Sequence, residues 1–273
     1  MTAPATVPAT QRPPVSTVQQ WWVLTTRLIV PTLRSGEVAV AIAASAAVTA
    51  SFYIPLHRLM DGPDLGKSSY AQYLMPLIAL QAISFASIST AFRAATDSVQ
   101  GINRRFRAMP VAPLTPLAAR ISASVYRSSI GLAVALACGY VIGFRFHRAA
   151  LYTAAFCLLV LLTGMALAFL GDVIGTSSRN PAATTQWLLL PQLIFGLLSV
   201  GIQPVQRFPE WIQPVVRNQP ISQIVYALQA LAGDSAPGTA AVTWSAVTPA
   251  LAWVAAVAAL TLPWAVVVYR RRG

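Results

Sequence analysis

The stretch ATDSVQGINRRFRAMPVAPLTPLAAR, residues Ala95 to Arg120, lies between two long apolar runs, and its reading decides the fold. Within it Val99, Ile102, Phe106 and Met109 recur at i, i+3, i+7 and i+10, which places them along one face of a helix. Thr96, Asp97 or Ser98 can cap the start of such a helix, and Pro110 ends it. Arg104, Arg105 and Arg107 occupy other faces. A helix of this kind offers apolar knobs ringed by charge to a soluble partner; the alternative is that it packs beneath its own bundle.

The flanking sequence sets that helix at a membrane. The chain has 273 residues, 56% of them hydrophobic and only 10% charged, where a soluble domain carries about a quarter charged residues. A water-soluble enzyme and a disordered chain both fit this composition poorly. A helix needs roughly 20 apolar residues to cross a bilayer, and six runs qualify, at about 38–56, 70–92, 121–143, 149–171, 182–202 and 246–269. The expectation is an all-α integral membrane protein. Residues 1–20, rich in Pro, Thr and Ala, read as a disordered cytoplasmic tail without the apolar core of a secretory leader, and residues 21–273 read as the membrane domain.

The net charge of +12 comes from one Lys (Lys67) and eighteen Arg set in short clusters between the runs. That is the distribution membrane topology produces, and nucleic acid is not an expected partner. Arg12, Arg27, Arg34, Arg93, Arg104, Arg105, Arg107, Arg120, Arg179 and Arg270 to Arg272 fall on one side. Only Arg58, Lys67, Arg145, Arg148, Arg207 and Arg217 fall on the other. The richer side is cytoplasmic, so both termini are expected there. Arg127 falls inside the third run, near its cytoplasmic end, where it can snorkel to the headgroups or serve a function within the membrane.

Two further segments stand out. In WWVLTTRLIV (Trp21–Val30), Trp21, Leu24 and Leu28 share a face while Arg27 and Arg34 turn toward headgroups. This reads as a helix lying in the membrane plane and halted by Pro31, or else as an extension of the first span. The insertion 203–245 contains PEWIQPVVR (Pro209–Arg217) and ISQIVYALQALAG (Ile221–Gly233), two short helices separated by Asn218, Gln219 and Pro220. Ser222 can cap the second, Gly233 closes it, and Ile221, Val225, Leu228 and Leu231 or Ala232 form its apolar face. Too short to cross, the pair is expected to dip into the outer leaflet with Trp211 at the interface, or to form an exposed cap.

Several motifs fail on inspection. GPDLGKS (Gly62–Ser68) is one residue short of a phosphate-binding loop and follows no strand. His57 and His147 are isolated loop histidines without metal-ligand spacing. Cys138 and Cys157 fall inside spans as small apolar fillers. The pairs Gly139–Gly143 and Gly171–Gly175 match small-xxx-small helix contacts, a pattern common by chance. No paired carboxylates, nucleophile–His arrangement or nucleotide fingerprint is present, so the chain is not expected to be an enzyme.

Three stretches taken together, Ala95–Arg120, CGYVIGFRFHRAALY (Cys138–Tyr152) and FPEWIQPVVRNQPISQIVYALQALAGD (Phe208–Asp234), resemble the permease subunits of type-2 ABC exporters. Within that family the chain is most similar to the daunorubicin-resistance permeases of B type, over essentially everything from Trp21 onward. The resemblance implies six spans, an amphipathic helix before the first (Trp21, Leu24, Arg27, Leu28), a cytoplasmic coupling helix between spans two and three (Asp97, Val99, Ile102, Arg104, Arg105, Phe106, Arg107, Met109), and external re-entrant helices before span six (Trp211, Arg217, Asn218, Pro220, Ile221). It implies export across the plasma membrane of drugs such as daunorubicin or of complex lipids such as phthiocerol dimycocerosate. The implied partners are a separate ATPase in two copies, which would carry ATP and Mg2+, and a second, non-identical permease. No cofactor is expected in this chain. A self-sufficient carrier or channel remains the alternative.

Overall fold

The computed structural model describes residues 16–34, 37–60, 69–102, 115–233 and 242–271. All regular structure among them is helical, in the order α1 (Thr17–Arg34), α2 (Glu37–Met60), α3 (Tyr70–Val99), α4 (Thr115–Val141), α5 (Ala150–Ser177), α6 (Pro181–Leu197), a single 3-10 turn (Val205–Arg207), α7 (Gln213–Asn218), α8 (Pro220–Ala232) and α9 (Trp244–Arg271). Four of these, α3, α4, α5 and the Trp244–Ala265 part of α9, are long and apolar enough to cross a membrane.

α3 is the central post. Ser69 starts it by accepting the Gln72 amide at 3.3 Å, and every residue from Tyr70 to Leu80 is buried. Burial on all sides, rather than along one stripe, marks a helix enclosed by others. α5 lies against it at backbone distance, because Gly164, Gly171 and Gly175 face α3. A Cβ at Gly171 would stand 2.9 Å from the Ser87 carbonyl oxygen, and one at Gly175 would meet the backbone of Ala91. Ser87 Oγ also donates across this seam to Gly164 O at 3.3 Å. The Gly171–Gly175 pattern is therefore a real helix contact.

The charged helix ends differ from expectation. α3 continues past residue 92 to Val99, α4 begins at Thr115 instead of 121, and α5 runs to Ser177 instead of 171. Arg93, Asp97, Arg120 and Asp172 thus lie on helices, not in loops. The periodicity of apolar residues marks where a helix can enter lipid and is silent on where the helix stops; the charges extend these helices because they pair with one another. Thr96, Asp97 and Ser98 complete α3 rather than cap a new helix, and the chain turns at Gln100 and Gly101, whose φ of +69° is left-handed. α1 also begins earlier than expected, at Thr17, and passes through Pro31 to Arg34. His57 lies on α2, not in a loop.

The fifth apolar run departs in the opposite direction, by stopping short. α6 ends at Leu197, where a helix to residue 202 was expected. Its 17 residues rise about 26 Å at roughly 1.5 Å each, the short end of what can cross a hydrocarbon core of roughly 30 Å. The chain leaves the helix because α3 supplies other partners: Tyr73 Oη donates to Val200 O and Tyr70 Oη to Ile202 O. Gly201 fits there against Leu77, whose Cβ would stand 2.6 Å from any added Cβ.

The short helices then fold back onto this point. α7 covers Gln213–Asn218 only, leaving Trp211 in the preceding turn and 79% exposed. α8 is buried along Ile224, Val225, Leu228, Leu231 and Ala232 and closes with Gly233 at φ +82°. Its N-cap is Gln219, with Pro220 at the first position, so Ser222 is not the cap. Instead Ser222 Oγ accepts the Val200 amide at 3.2 Å.

Candidate substrate cavity and coupling end

Four helices and the start of α8 line a half-open cavity of about 330 Å³, within the range of small-molecule sites. α3 contributes Leu77, Leu80 and Ile88, α5 contributes Ala166 and Leu170, α6 contributes Leu188, Pro191 and Phe195, and α9 contributes Trp253 and Val257. Ile221 of α8, one of the expected re-entrant residues, also lines it. The walls are apolar and, among the described residues, carry no ionisable side chain.

The polar groups in the wall fall into two kinds. Ser87 and Thr163 turn their hydroxyls back to carbonyls of their own helices, Ile83 at 2.9 Å and Leu159 at 2.8 Å. This leaves little for a ligand. Gln81 and Gln192 instead meet each other across the cavity wall, Gln192 Nε2 donating to Gln81 Oε1 at 2.8 Å. Gly196 makes room for this pair, since a Cβ there would collide with the Gln81 amide nitrogen. Gln219 holds the end of α6 beside it, its Nε2 donating to Leu198 O at 2.7 Å and to Phe195 O at 3.2 Å. Those are carbonyls that a helix C-terminus leaves without intrahelical donors.

At the opposite end of α3 lies an ionic cluster. Arg120 of α4 donates to Asp97 of α3 at 2.9 Å and to Asp172 of α5 at 3.4 Å. The Asp172 side chain is fully buried and that of Arg120 is 8% exposed. Ser98 Oγ adds a bond to Thr176 O at 3.1 Å, joining α3 to α5 once more. α1 packs alongside, with Thr25 buried, Trp21, Leu24 and Leu28 half-buried, Arg27 exposed, and Trp21 Nε1 donating to Ser122 Oγ of α4 at 3.2 Å. A crevice between α1 and the bundle is lined by Leu24, Arg27, Leu28, Arg93, Asp97 and Ile102. Two turns further into the bundle, Arg127 donates to Thr90 Oγ1 at 3.0 Å, and Thr90 in turn donates to Ser124 Oγ.

Of the residues expected in a coupling helix, Asp97 and Val99 therefore end α3, Val99 being exposed, and Ile102 lies past the turn at Gly101. Arg104, Arg105, Phe106, Arg107 and Met109 lie outside the described residues. Of the expected re-entrant residues, Arg217 and Asn218 end α7 on its exposed side and Pro220 starts α8. Sequence reading overlooked Gln81, Gln192, Arg120 and Asp172. The glutamines had a signal, since polar side chains inside apolar runs are rare and tend to be functional.

The profile of ABC-2 family transporter proteins matches residues 31–267. The chain is 50% identical over 263 residues to the doxorubicin resistance ABC transporter permease protein DrrB of Mycobacterium tuberculosis, covering 94% of this chain and 91% of that protein. It is 28% identical over 159 residues to the probable doxorubicin resistance ABC transporter permease protein DrrC of the same organism, covering 58% of this chain and 57% of that protein. Over 164 residues it is 25% identical to the daunorubicin resistance ABC transporter permease protein DrrB1 of Streptomyces coeruleorubidus, covering 59% and 57% respectively.

Proposed function

The chain belongs to the ABC-2 family of transporter proteins, and from that premise we propose that it is the permease subunit of an exporter that moves lipidic or amphipathic molecules, drugs among them, across the plasma membrane. A separate ATPase in two copies binds beneath it and hydrolyses ATP with Mg2+. A second, non-identical permease completes the pore; likeness to two differently named permeases of one organism supports a mixed pair. The chain crosses the membrane six times with both termini in the cytoplasm, α2 and α6 joining the four long apolar helices.

One observation carries this reading: α3 is at once a wall of the apolar cavity and the helix that leads into the basic stretch after Gly101. A push on that stretch reaches the cavity along a single helix. Apolar ligands suit such walls, and exposed side chains on α6 and α9, including Trp187, Leu190, Leu193, Leu260 and Trp264, suit lipid or a second permease.

The test is substrate-stimulated ATP hydrolysis and ATPase co-purification in the reconstituted complex. Phe106→Ala removes the central knob of the proposed coupling stripe, and truncating a buried aromatic costs about 3–5 kcal/mol. It should weaken ATPase association or uncouple hydrolysis from export. Arg105→Ala should do much less, because an exposed ion pair contributes roughly 0–1 kcal/mol. Transport by the isolated chain without ATP would instead make it a self-sufficient carrier.

A further inference from the structure

The crevice between α1 and the bundle carries more positive charge than its acids can offset. It holds about 110 Å³, and Arg27, Arg93 and Arg120 border it against the single carboxylate of Asp97. That carboxylate is already engaged, accepting from Arg120 at 2.9 Å and facing Arg93 as well. Arg120 in turn divides itself between Asp97 and the buried Asp172. Arg27 of α1 is exposed and has no carboxylate partner among the described residues. Deeper along the α3–α4 seam the charged neighbour of Arg127 is Arg93, of like sign, and the Arg127 Nε is buried without a partner among the described residues. Arg27, Arg93, Arg120 and Arg127 therefore stand against Asp97 and Asp172 alone among the described side chains here. Like charges gathered out of bulk water favour an anion that joins them.

Size and setting choose the anion. Drug-sized ligands occupy about 300–1,000 Å³, so this crevice has room for a phosphate group and not for a whole cargo molecule. One of its walls is α1, along which Val18, Trp22, Val23 and Val30 are exposed. Such side chains, with tryptophan among them, suit the interface of a bilayer. A phosphate that reaches the crevice past this helix is the head of a lipid whose chains remain in the leaflet.

We propose that this crevice binds the phosphate of an anionic membrane lipid, bridged between Arg27 of α1 and Arg93 of α3, and that the lipid is held in place rather than carried. The site shares no lining residue with the apolar cavity, and it stands without the exporter reading. A phosphate there offsets the excess positive charge. It also fastens α1 to the bundle beside Ile102, where α3 gives way to the basic stretch.

The experiment uses the protein with whatever subunits accompany it from native membranes, in phosphatidylcholine nanodiscs, photolabelled with a phosphatidylglycerol that carries a diazirine near its head group. Mass spectrometry should place the label on peptides from residues 17–34 and 115–141 in preference to 181–197. Unlabelled dioleoylphosphatidylglycerol should compete at least about fivefold better than dioleoylphosphatidylcholine, whose choline brings a cation to the arginines. Arg27→Gln should lower this labelling about three- to tenfold, the loss expected from one charge-assisted hydrogen bond, and Arg27→Lys should keep most of it. Arg179→Gln, at an exposed arginine outside the crevice, should change nothing. Equal competition by the two lipids, or an equal loss in Arg27→Gln and Arg179→Gln, overturns the proposal. So does undiminished labelling of Arg27→Gln; should that variant not assemble, the label's position and the head-group preference in the unmodified protein decide. Displacement by inorganic phosphate, but not by chloride of equal ionic strength, would assign the crevice to a free anion and overturn the lipid. Displacement by daunorubicin would place the labelled lipid in the cargo path and overturn it equally.

Discussion

At the scale of single residues, two substitutions separate backbone contact from side-chain contact. A methyl at Gly175 would press on the backbone of Ala91, whereas one at Gly139 would meet only the flexible side chain of Met75. Overpacking costs about 1–3 kcal/mol where nothing can yield. Gly175→Ala should therefore lower the thermal unfolding midpoint in detergent clearly, and Gly139→Ala should lower it little. Arg120→Leu should be worse than either, by about 3–5 kcal/mol, because it removes the guanidinium that bridges Asp97 and the buried Asp172. Adding Asp172→Asn to Arg120→Leu should recover part of that loss in the same melting experiment. The glycine spacing was visible in the sequence yet carried no weight, since nothing in it names the helix opposite. The ionic cluster was invisible for a related reason: Arg120 and Asp172 stand 52 residues apart and each, taken alone, resembles a loop charge.

Among the elements, the join between α6 and α8 is the most exposed to test. Gln219 supplies donors to Phe195 O and Leu198 O, and its removal leaves those carbonyls unpaired in a half-buried place. Gln219→Leu should cost about 1–3 kcal/mol and should speed backbone hydrogen exchange at the last turn of α6 specifically, leaving α3 unchanged. α8 itself was legible: its apolar face of Val225, Leu228 and Leu231 or Ala232 keeps a helical period, and Gly233 ends it where a left-handed residue is needed. The stop of α6 at Leu197 was not legible. The tyrosines that draw the chain off the helix belong to α3, more than a hundred residues earlier. Pro31 misled in the other direction, since proline inside a helix is tolerated when its surroundings satisfy the freed carbonyl.

For the whole molecule, orientation is the property that arginine counting sets and that labelling can decide. Gln100 is exposed just beyond α3, and Arg217 is exposed at the end of α7. Gln100→Cys should resist an impermeant thiol reagent on intact cells, and Arg217→Cys should react; the opposite pattern would invert the topology. The helical class and most of the apolar runs were evident from composition and period alone, because lipid imposes them directly. What encloses the cavity was not, because enclosure depends on which helices touch.

The glycine seam between α3 and α5 bears on how that enclosure can change shape. Ordinary helix contacts contain side chains that hop between rotamers and absorb small displacements, as a gasket does. Between Gly171, Gly175 and the backbone of Ser87 and Ala91 there is no such compliant layer, and the hydrogen bonds from Ser87 and Ser98 pin the two rods lengthwise. The pair therefore behaves as one stiff strut. On the proposed coupling, strain applied at its Val99 end would reach the cavity with little loss, and the yielding would fall to the opposite side, where α6 presents most of its surface outward and is tethered by amide side chains at Gln192 and its final turn. A chamber with one rigid wall and one loosely hung wall opens like a door rather than swelling like a balloon.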